Sequence, residues 1–439
     1  MKQGVYQHYI QGGIKFGIAY GVVSLLARWI TGNTILSSPE TLVKYGLLGG
    51  IGYALMGAFS LFLFGWMAPK IRERFPNAMT IGDVLQERLD SKSYWFVMVV
   101  LLITSIDSLF VQALGVGILF HLLFNIPAFV GLFIFFIYCF LLAGLGGMNR
   151  IHRFEGLHIS LIFAAIIFIP VYFFIQEGVF PVYDGLHLYH PYLLFLKNSS
   201  VTPFILTALL IGFGQVLIDR ASWQRLYIIE KNKVRTSFMM TGFIWATIPL
   251  AFSAMTVIAI FNQGYKNIYS VLYELIGKID SLFLILLFIG SCFSALASTI
   301  GAELHATSIM IVRNMLNVKY KWSEQSQLKK TYFIAGILSL ILFIISSILT
   351  PNLLELIFFF GQVYVAIIPT MLAILFYSKK VPPYLPYCSL VGWVSGMTTL
   401  HFHSSIYSIW VSFVVASLLV MVSISYNEMK HYYRVNRIK

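Results

Sequence analysis

The sequence predicts an all-α polytopic membrane protein with about 12 transmembrane helices, and three observations carry that prediction. First, 59% of the 439 residues are hydrophobic and only 11% are charged, with a mean hydropathy of +0.82; soluble proteins carry about 25% charged residues. Second, apolar runs such as Phe96–Ile103, Phe129–Leu142 and Tyr332–Leu349 recur from end to end. With its flanks, each run reaches the roughly 20 residues that cross a bilayer as a helix. Third, basic residues gather in alternate connections, as the positive-inside bias requires. A soluble enzyme, a nucleic-acid binder and a secreted disulfide scaffold are excluded.

The hydropathy places spans at 14–44 (with an internal break), 46–68, 93–121, 127–145, 155–177, 201–218, 237–262, 281–311, 331–349, 353–377, 386–404 and 406–425. The map describes one integral membrane domain over residues 1–439. With a cytoplasmic N-terminus, 25 of the 30 Lys and Arg residues fall inside. Lys44, Lys197, Lys266 and Lys278 fall outside, and Arg28 lies within a span. The net charge of +13 therefore reflects topology, in a cell (inner) membrane with both termini cytoplasmic. The first span is too long and interrupted for a cleaved signal peptide. Every connection is short, leaving no room for a soluble catalytic head. Cys139, Cys292 and Cys388 fall within spans and read as small buried hydrophobes.

Ionisable or irregular segments within spans are functional candidates, because lipid satisfies neither charge nor backbone. Three places qualify. In the first span, Ala27 to Thr34 sets a guanidinium, a glycine and small polar residues together, then Pro39 and Gly46; freed carbonyls there suit a cation, or the helix kinks and Arg28 reaches an interface. In the eighth, small residues from Ser294 to Ser308 accompany Ser298, Thr299 and Glu303. Their hard oxygens suit sodium, or the stretch is a packing face whose serines bond their own helix. In the sixth, Gly212-Phe213-Gly214-Gln215 suggests a loosened helix. The Asp219-Arg220 and Trp223-Gln224-Arg225 cluster beyond it reads as an interfacial anchor, with a gate as the alternative. Asp107 in the third span is expected to pair with Arg28 or with nothing that the sequence identifies. His305, His401 and His403 read as satisfied span histidines. Neighbouring helices are expected to satisfy the carbonyls freed by Pro170, Pro203, Pro249 and Pro369.

Several of these stretches resemble the sodium/solute symporter family. Ala295-Leu296-Ala297-Ser298-Thr299 with Gly301-Ala302-Glu303-Leu304 is similar to its small-residue serine/threonine signature. Gly214 to Arg225, then Trp245-Ala246-Thr247-Ile248-Pro249, looks like the urea-permease-like branch. Gly146-Gly147 with Glu155 resembles the glycine pair entering span 5, and Ala27, Ile30, Thr31, Gly32, Pro39 and Gly46 fall in step with the proline-permease pattern. The resemblance covers about residues 14–375, and on this reading the family's usual extra N-terminal span is expected to be absent.

The resemblance implies secondary active transport by a five-plus-five inverted repeat, with broken helices 1 and 6 around a small polar organic solute. The first repeat would cover about 14–177 and the second about 201–377, with two peripheral spans over about 386–425. Sodium would serve as coupling ion, with no other cofactor, on the carbonyls of Ala27, Ile30 and Ala295 and the hydroxyls of Ser298 and Thr299. Arg28, Thr31, Asn33, Gln215, Gln362 and Tyr364 are the expected solute contacts; Glu155, Asp219, Arg220 and Arg225 are the expected gate. Arg28 and Trp29 depart from the pattern. Either Arg28 grips an anionic solute, or its charge replaces sodium in a sodium-independent carrier. A urea-like solute, an amino acid and a carboxylate all stay open.

Two other classes compete. One is a solute sensor signalling through Trp223–Arg235 or the tail after Asn427. The other is a membrane enzyme built on His152, Glu155 and His158, though no nucleophile or metal pattern completes such a site.

Overall fold

A computed structural model describes residues 4–124, 126–196, 198–262, 264, 270–349 and 353–436. Of the basic residues assigned to a side of the membrane, Lys2, Lys197, Lys266, Arg437 and Lys439 lie outside these.

A short helix α1 (Val5–Gln11) precedes the first span, which is two helices, α2 (Ile18–Trp29) and α3 (Gly32–Tyr45). The sequence dictates the break. Ile30 is extended, and Thr31 caps α3 with Thr34 in a reciprocal capping box, satisfying donors that the new helix start leaves open. Gly46, at φ +78°, turns the chain into α4 (Leu47–Arg74); a side chain is strained there. Then follow α5 (Ile81–Arg88), α6 (Ser91–Phe124), α7 (Ala128–Cys139) with a π-turn Phe140–Gly144, α8 (Gly147–Gln176) and α9 (Val179–Tyr189).

The sixth span is also broken, into α10 (Val201–Ile218) and α11 (Arg220–Ile228). Asp219 is extended and caps α11, accepting the Ser222 N–H at 2.8 Å. The chain continues through α12 (Val234–Ile260), α13 (Ser270–Gly277), α14 (Leu282–Ile309), which a π-turn Met310–Leu316 joins to α15 (Asn317–Tyr320), and α16 (Glu324–Ile348). Three helices close it: α17 (Leu353–Phe376), α18 (Tyr387–Leu400) and α19 (Ser405–Asn436). Among the described residues, nine helices are long and apolar enough to cross a membrane, and α2 and the α7 segment are shorter apolar helices.

All twelve expected spans meet a helix. Boundaries differ where polar residues hide helix: α8 begins at Gly147 rather than 155, α16 at Glu324 rather than 331, and α19 runs on to Asn436. The loosening expected at Gly212–Gln215 is absent. Those residues stay helical and the break comes at Asp219. The glycines serve packing: Gly212 lies on Met56 and Ser60, and Gly214 on the Tyr364 carbonyl of α17.

The architecture is the five-plus-five arrangement, with α2/α3 and α10/α11 at its centre. α4 packs along α10 and α12, α14 along α8 and α6, and α17, α18 and α19 pack together. One end is interlocked by basic side chains. There Arg72 donates to the carbonyls of Leu226 and Ile229, Arg88 to those of Ile374 and Tyr377, and Arg313 pairs with Asp83. Phe16, before α2, forms a parallel bridge with Ile229, after α11.

Candidate solute cavity and ion networks

Where the two broken helices cross, a cavity of about 50 Å³ opens. Its polar lining is Thr31 and Asn33 of α3, Asp107 and Gln112 of α6, Gln215 of α10 and Tyr364 of α17; Trp29, Tyr53 and Trp245 supply aromatic walls. The walls are braced from behind. The Trp245 indole N–H donates to the Trp29 carbonyl at 2.6 Å, and Trp29 donates to Ser222 Oγ at 2.9 Å. Gln112 Oε1 accepts the Gly32 N–H at 2.5 Å, tying α6 to the start of α3.

Of the expected solute contacts, Thr31, Asn33, Gln215 and Tyr364 line this cavity. Arg28 and Gln362 do not. Gln362 donates to Ser408 Oγ of α19 at 3.1 Å, because its face of α17 turns toward the peripheral helices. Arg28 is fully engaged. Its guanidinium donates to Asp219 Oδ1 at 3.0 and 2.5 Å, to Glu303 Oε2 at 2.9 Å and to Ser108 Oγ at 3.4 Å. Neither an anion grip nor a free charge standing in for sodium matches a side chain already paired with two carboxylates.

The acidic and basic residues around the second break are not exposed, as a surface anchor would be. Asp219, Arg220 and Arg225 are all buried. Arg220 donates to Glu303 Oε1 at 2.8 and 2.5 Å, and to the Leu101 carbonyl and Thr104 Oγ1 of α6. Arg28, Arg220, Asp219 and Glu303 therefore form one charge-balanced cluster joining α2, α6, α11 and α14. A buried guanidinium costs at least about 2.5–3.5 kcal/mol by insertion scales, and the two carboxylates offset it. A second cluster lies one helical turn along α2 and α11. Arg225 donates to Glu155 Oε1 at 2.6 Å and to Ser24, while Glu155 Oε2 meets His152 Nδ1 at 2.8 Å. Glu155 is thereby held by Arg225 and His152, while His158 meets the Tyr138 hydroxyl at 3.5 Å and the Phe154 ring. The His152–Glu155–His158 set forms no catalytic array, and no group able to hold a metal through His, Cys, Asp and Glu occurs among the described residues. The Trp223–Arg235 stretch is no signalling loop as far as Ile228, because that part is α11, buried throughout.

The five oxygens assigned to sodium lie along α2 and α14. Thr299 Oγ1 donates across to the Ile30 carbonyl at 2.8 Å. The Thr31 N–H, which would close the next helical turn onto Ala27, goes instead to Thr34 Oγ1 at 3.1 Å. Ser298 Oγ bonds back to the Ala295 carbonyl in its own helix at 3.1 Å. All five residues are buried, and the donor set is all hard oxygen, which suits a small hard cation.

Sequence reasoning missed two residues. Glu303, seen only as a possible cation ligand, is the hinge of the first cluster. Asp107 pairs not with Arg28 but with Tyr364, whose phenol donates to Oδ2 at 2.7 Å. His305, expected to be satisfied, is only half so: Nε2 meets the Tyr9 carbonyl at 3.1 Å, while the buried Nδ1 has no hydrogen-bond partner.

The model of the sodium:solute symporter family matches residues 9–381. Two curated relatives are the rice urea-proton symporter DUR3, 19% identical over 54% of this chain and 37% of its own, and the probable urea active transporter 1 of Schizosaccharomyces pombe, 22% identical over 59% and 40%. The matches thus span less than half the length of those relatives. Among solved structures, a sodium-coupled sialic acid symporter in a substrate-bound outward-open state superposes at TM-score 0.76, with 13% identity over 94% of this chain and 91% of that one. The transporter MhsT, with L-phenylalanine, gives 0.54 at 13% identity over 94% and 99%.

Proposed function

The chain belongs to the sodium:solute symporter family, and from that premise we propose that it is a secondary active transporter coupling sodium to the uptake of a small, neutral, polar solute. The observation that carries the reading is the cavity at the crossing of the two broken helices, lined by amides, hydroxyls and aromatic rings. Its small volume, about 50 Å³, favours a compact solute such as urea over one the size of a sugar acid. The named activities of the rice and yeast relatives point to the same solute.

Alternating access follows from the charge clusters. With the basic end facing the cytoplasm, the two clusters and the Phe16–Ile229 bridge seal the cavity from inside, and transport requires them to part. Sodium on the Ala27, Ile30, Ala295, Ser298 and Thr299 oxygens would hold α2 against α14 and favour the sealed state. A ligand shifts such an equilibrium only by its differential affinity for the two states.

The test is thermal unfolding of the purified protein in sodium and in potassium, for wild type and the Ser298→Ala/Thr299→Ala variant. Binding to the folded state stabilises by about 2.7 kcal/mol at a hundred times Kd. A sodium-specific rise lost in the variant supports the site. No sodium-specific rise in the wild type removes sodium from the mechanism. Uptake of radiolabelled urea into proteoliposomes tests the solute.

A further inference from the structure

Four acids are buried among the described residues: Asp107, Glu155, Asp219 and Glu303. Three of them meet an arginine: Glu155 is held by Arg225, Asp219 by Arg28, and Glu303 by both Arg28 and Arg220. Asp107 has no such partner. Its Oδ2 accepts the Tyr364 phenol, while Oδ1 is buried and without a hydrogen-bond partner. It is also the one acid among the residues lining the cavity. A lone carboxylate buried between helices is expensive when charged, and it sheds that cost by taking a proton.

We propose that Asp107 is the proton-binding group of the cavity, taking up on Oδ1 a proton that crosses with the solute. This rests on the reading of the cavity as the solute site. The proton comes from water filling the cavity from the outer side. It adds to the carboxylate to give a neutral acid, and it leaves to cytoplasmic water once the inner clusters part. The neutral acid keeps one oxygen on the Tyr364 phenol and turns an O–H toward the solute, donating where the carboxylate only accepted.

The surroundings keep this exchange independent of the clusters. On α17, Tyr364 is the direct partner. From α11, Arg220 reaches α6 one turn away, at Leu101 and Thr104, but both its Nε and Nη2 serve Glu303 of α14. From α2, Arg28 touches the neighbouring Ser108 Oγ, while its charge is met by Asp219 and Glu303. Across the cavity α4 presents Tyr53, and α3 and α10 present only the uncharged Thr31, Asn33 and Gln215. Among the described residues, no arginine is left over to fix Asp107 as an anion, and no second acid lining the cavity competes for the proton.

Infrared titration of the full-length protein in lipid nanodiscs follows the carbonyl stretch of a neutral carboxylic acid. The wild type should show a buried-acid band that disappears as pH rises, and Asp107→Asn should lack it. Asp107→Glu should restore a shifted band, and Tyr364→Phe should move its midpoint upward by removing a donor to the carboxylate. In proteoliposomes, Asp107→Asn should abolish the stimulation of radiolabelled urea uptake by an inward proton gradient. An unchanged unfolding temperature for this near-isosteric variant certifies the fold. A titrating band that survives in Asp107→Asn overturns the proposal, and so does a wild type with no titrating band, which fixes Asp107 in one protonation state. If the wild type takes up no urea, the choice of solute fails, and the infrared result alone decides the assignment of the proton.

Discussion

Glu303 receives both Arg28 and Arg220 on separate oxygens, at 2.9 and 2.5 Å, while its own side chain is wholly buried. With Asp219 it balances two guanidinium charges, so removing it leaves two cations facing one anion in a low-dielectric interior. Breaking such a pair from one side costs about 3–5 kcal/mol, whereas the intact network contributes little beyond an apolar replacement. Glu303→Gln should therefore lower the unfolding temperature in detergent sharply, and more than Thr104→Val, which removes an uncharged acceptor from Arg220 and that hydroxyl's bonds to its own helix. Equal effects would show that the carboxylate is not what holds the guanidinium groups. None of this pairing was readable from the chain. Arg28, Asp219 and Glu303 are separated by up to 275 positions, and hydropathy identifies a charge within a span without saying what meets it. Arg28 was visible as an anomaly needing compensation; its partners became visible only when four helices converged.

At the scale of the element, the breaks in α2/α3 and α10/α11 were legible to different degrees. Thr31 with Thr34, and Asp219 with Ser222, are both cap-and-third-residue pairs, a local signal that sequence carries well. The first was found because Gly32 and Asn33 weaken the helix beside it. The second was misplaced toward Gly212 and Gly214, since a glycine that loosens a helix and one that admits a neighbour look alike in a sequence. At Gly214 the neighbour is the Tyr364 carbonyl, close enough that a Cβ would collide with backbone. Gly214→Ala should thus push α10 from α17 and displace Tyr364 from Asp107. Overpacking of this kind costs about 1–3 kcal/mol, and urea uptake should fall with it. Gly156→Ala, whose Cβ would meet open space, is the control and should leave unfolding temperature and uptake unchanged. A Gly214→Ala protein with wild-type stability and uptake would mean that the α10–α17 contact is slack.

For the whole molecule, hydropathy and charge bias sufficed for the span order, because the bilayer imposes length and polarity on every helix alike. The state of the molecule is a different matter, set by contacts between segments far apart. At the basic end, the Phe16 N–H donates to the Ile228 carbonyl and the Glu230 N–H to the Phe16 carbonyl. Lys15 Nζ donates to the Tyr227 carbonyl at 2.7 Å. These bonds bind the start of the first broken helix to the end of the second, beside the Arg225–Glu155 cluster, so a path from the cavity to this end requires the two strands to separate. The pair Phe16→Cys/Ile229→Cys turns that requirement into a measurement. Bridged neighbours lie within the span of about 4.4–6.8 Å between Cα atoms that a disulfide tolerates. The native Cys139, Cys292 and Cys388 are free and buried, which confines oxidation to the new pair. Oxidised protein in proteoliposomes should lose urea uptake, reductant should restore it, and each single variant should respond to neither reagent. Transport at the wild-type rate by the cross-linked protein would place the moving parts elsewhere and leave the Phe16–Ile229 bridge a fixed joint.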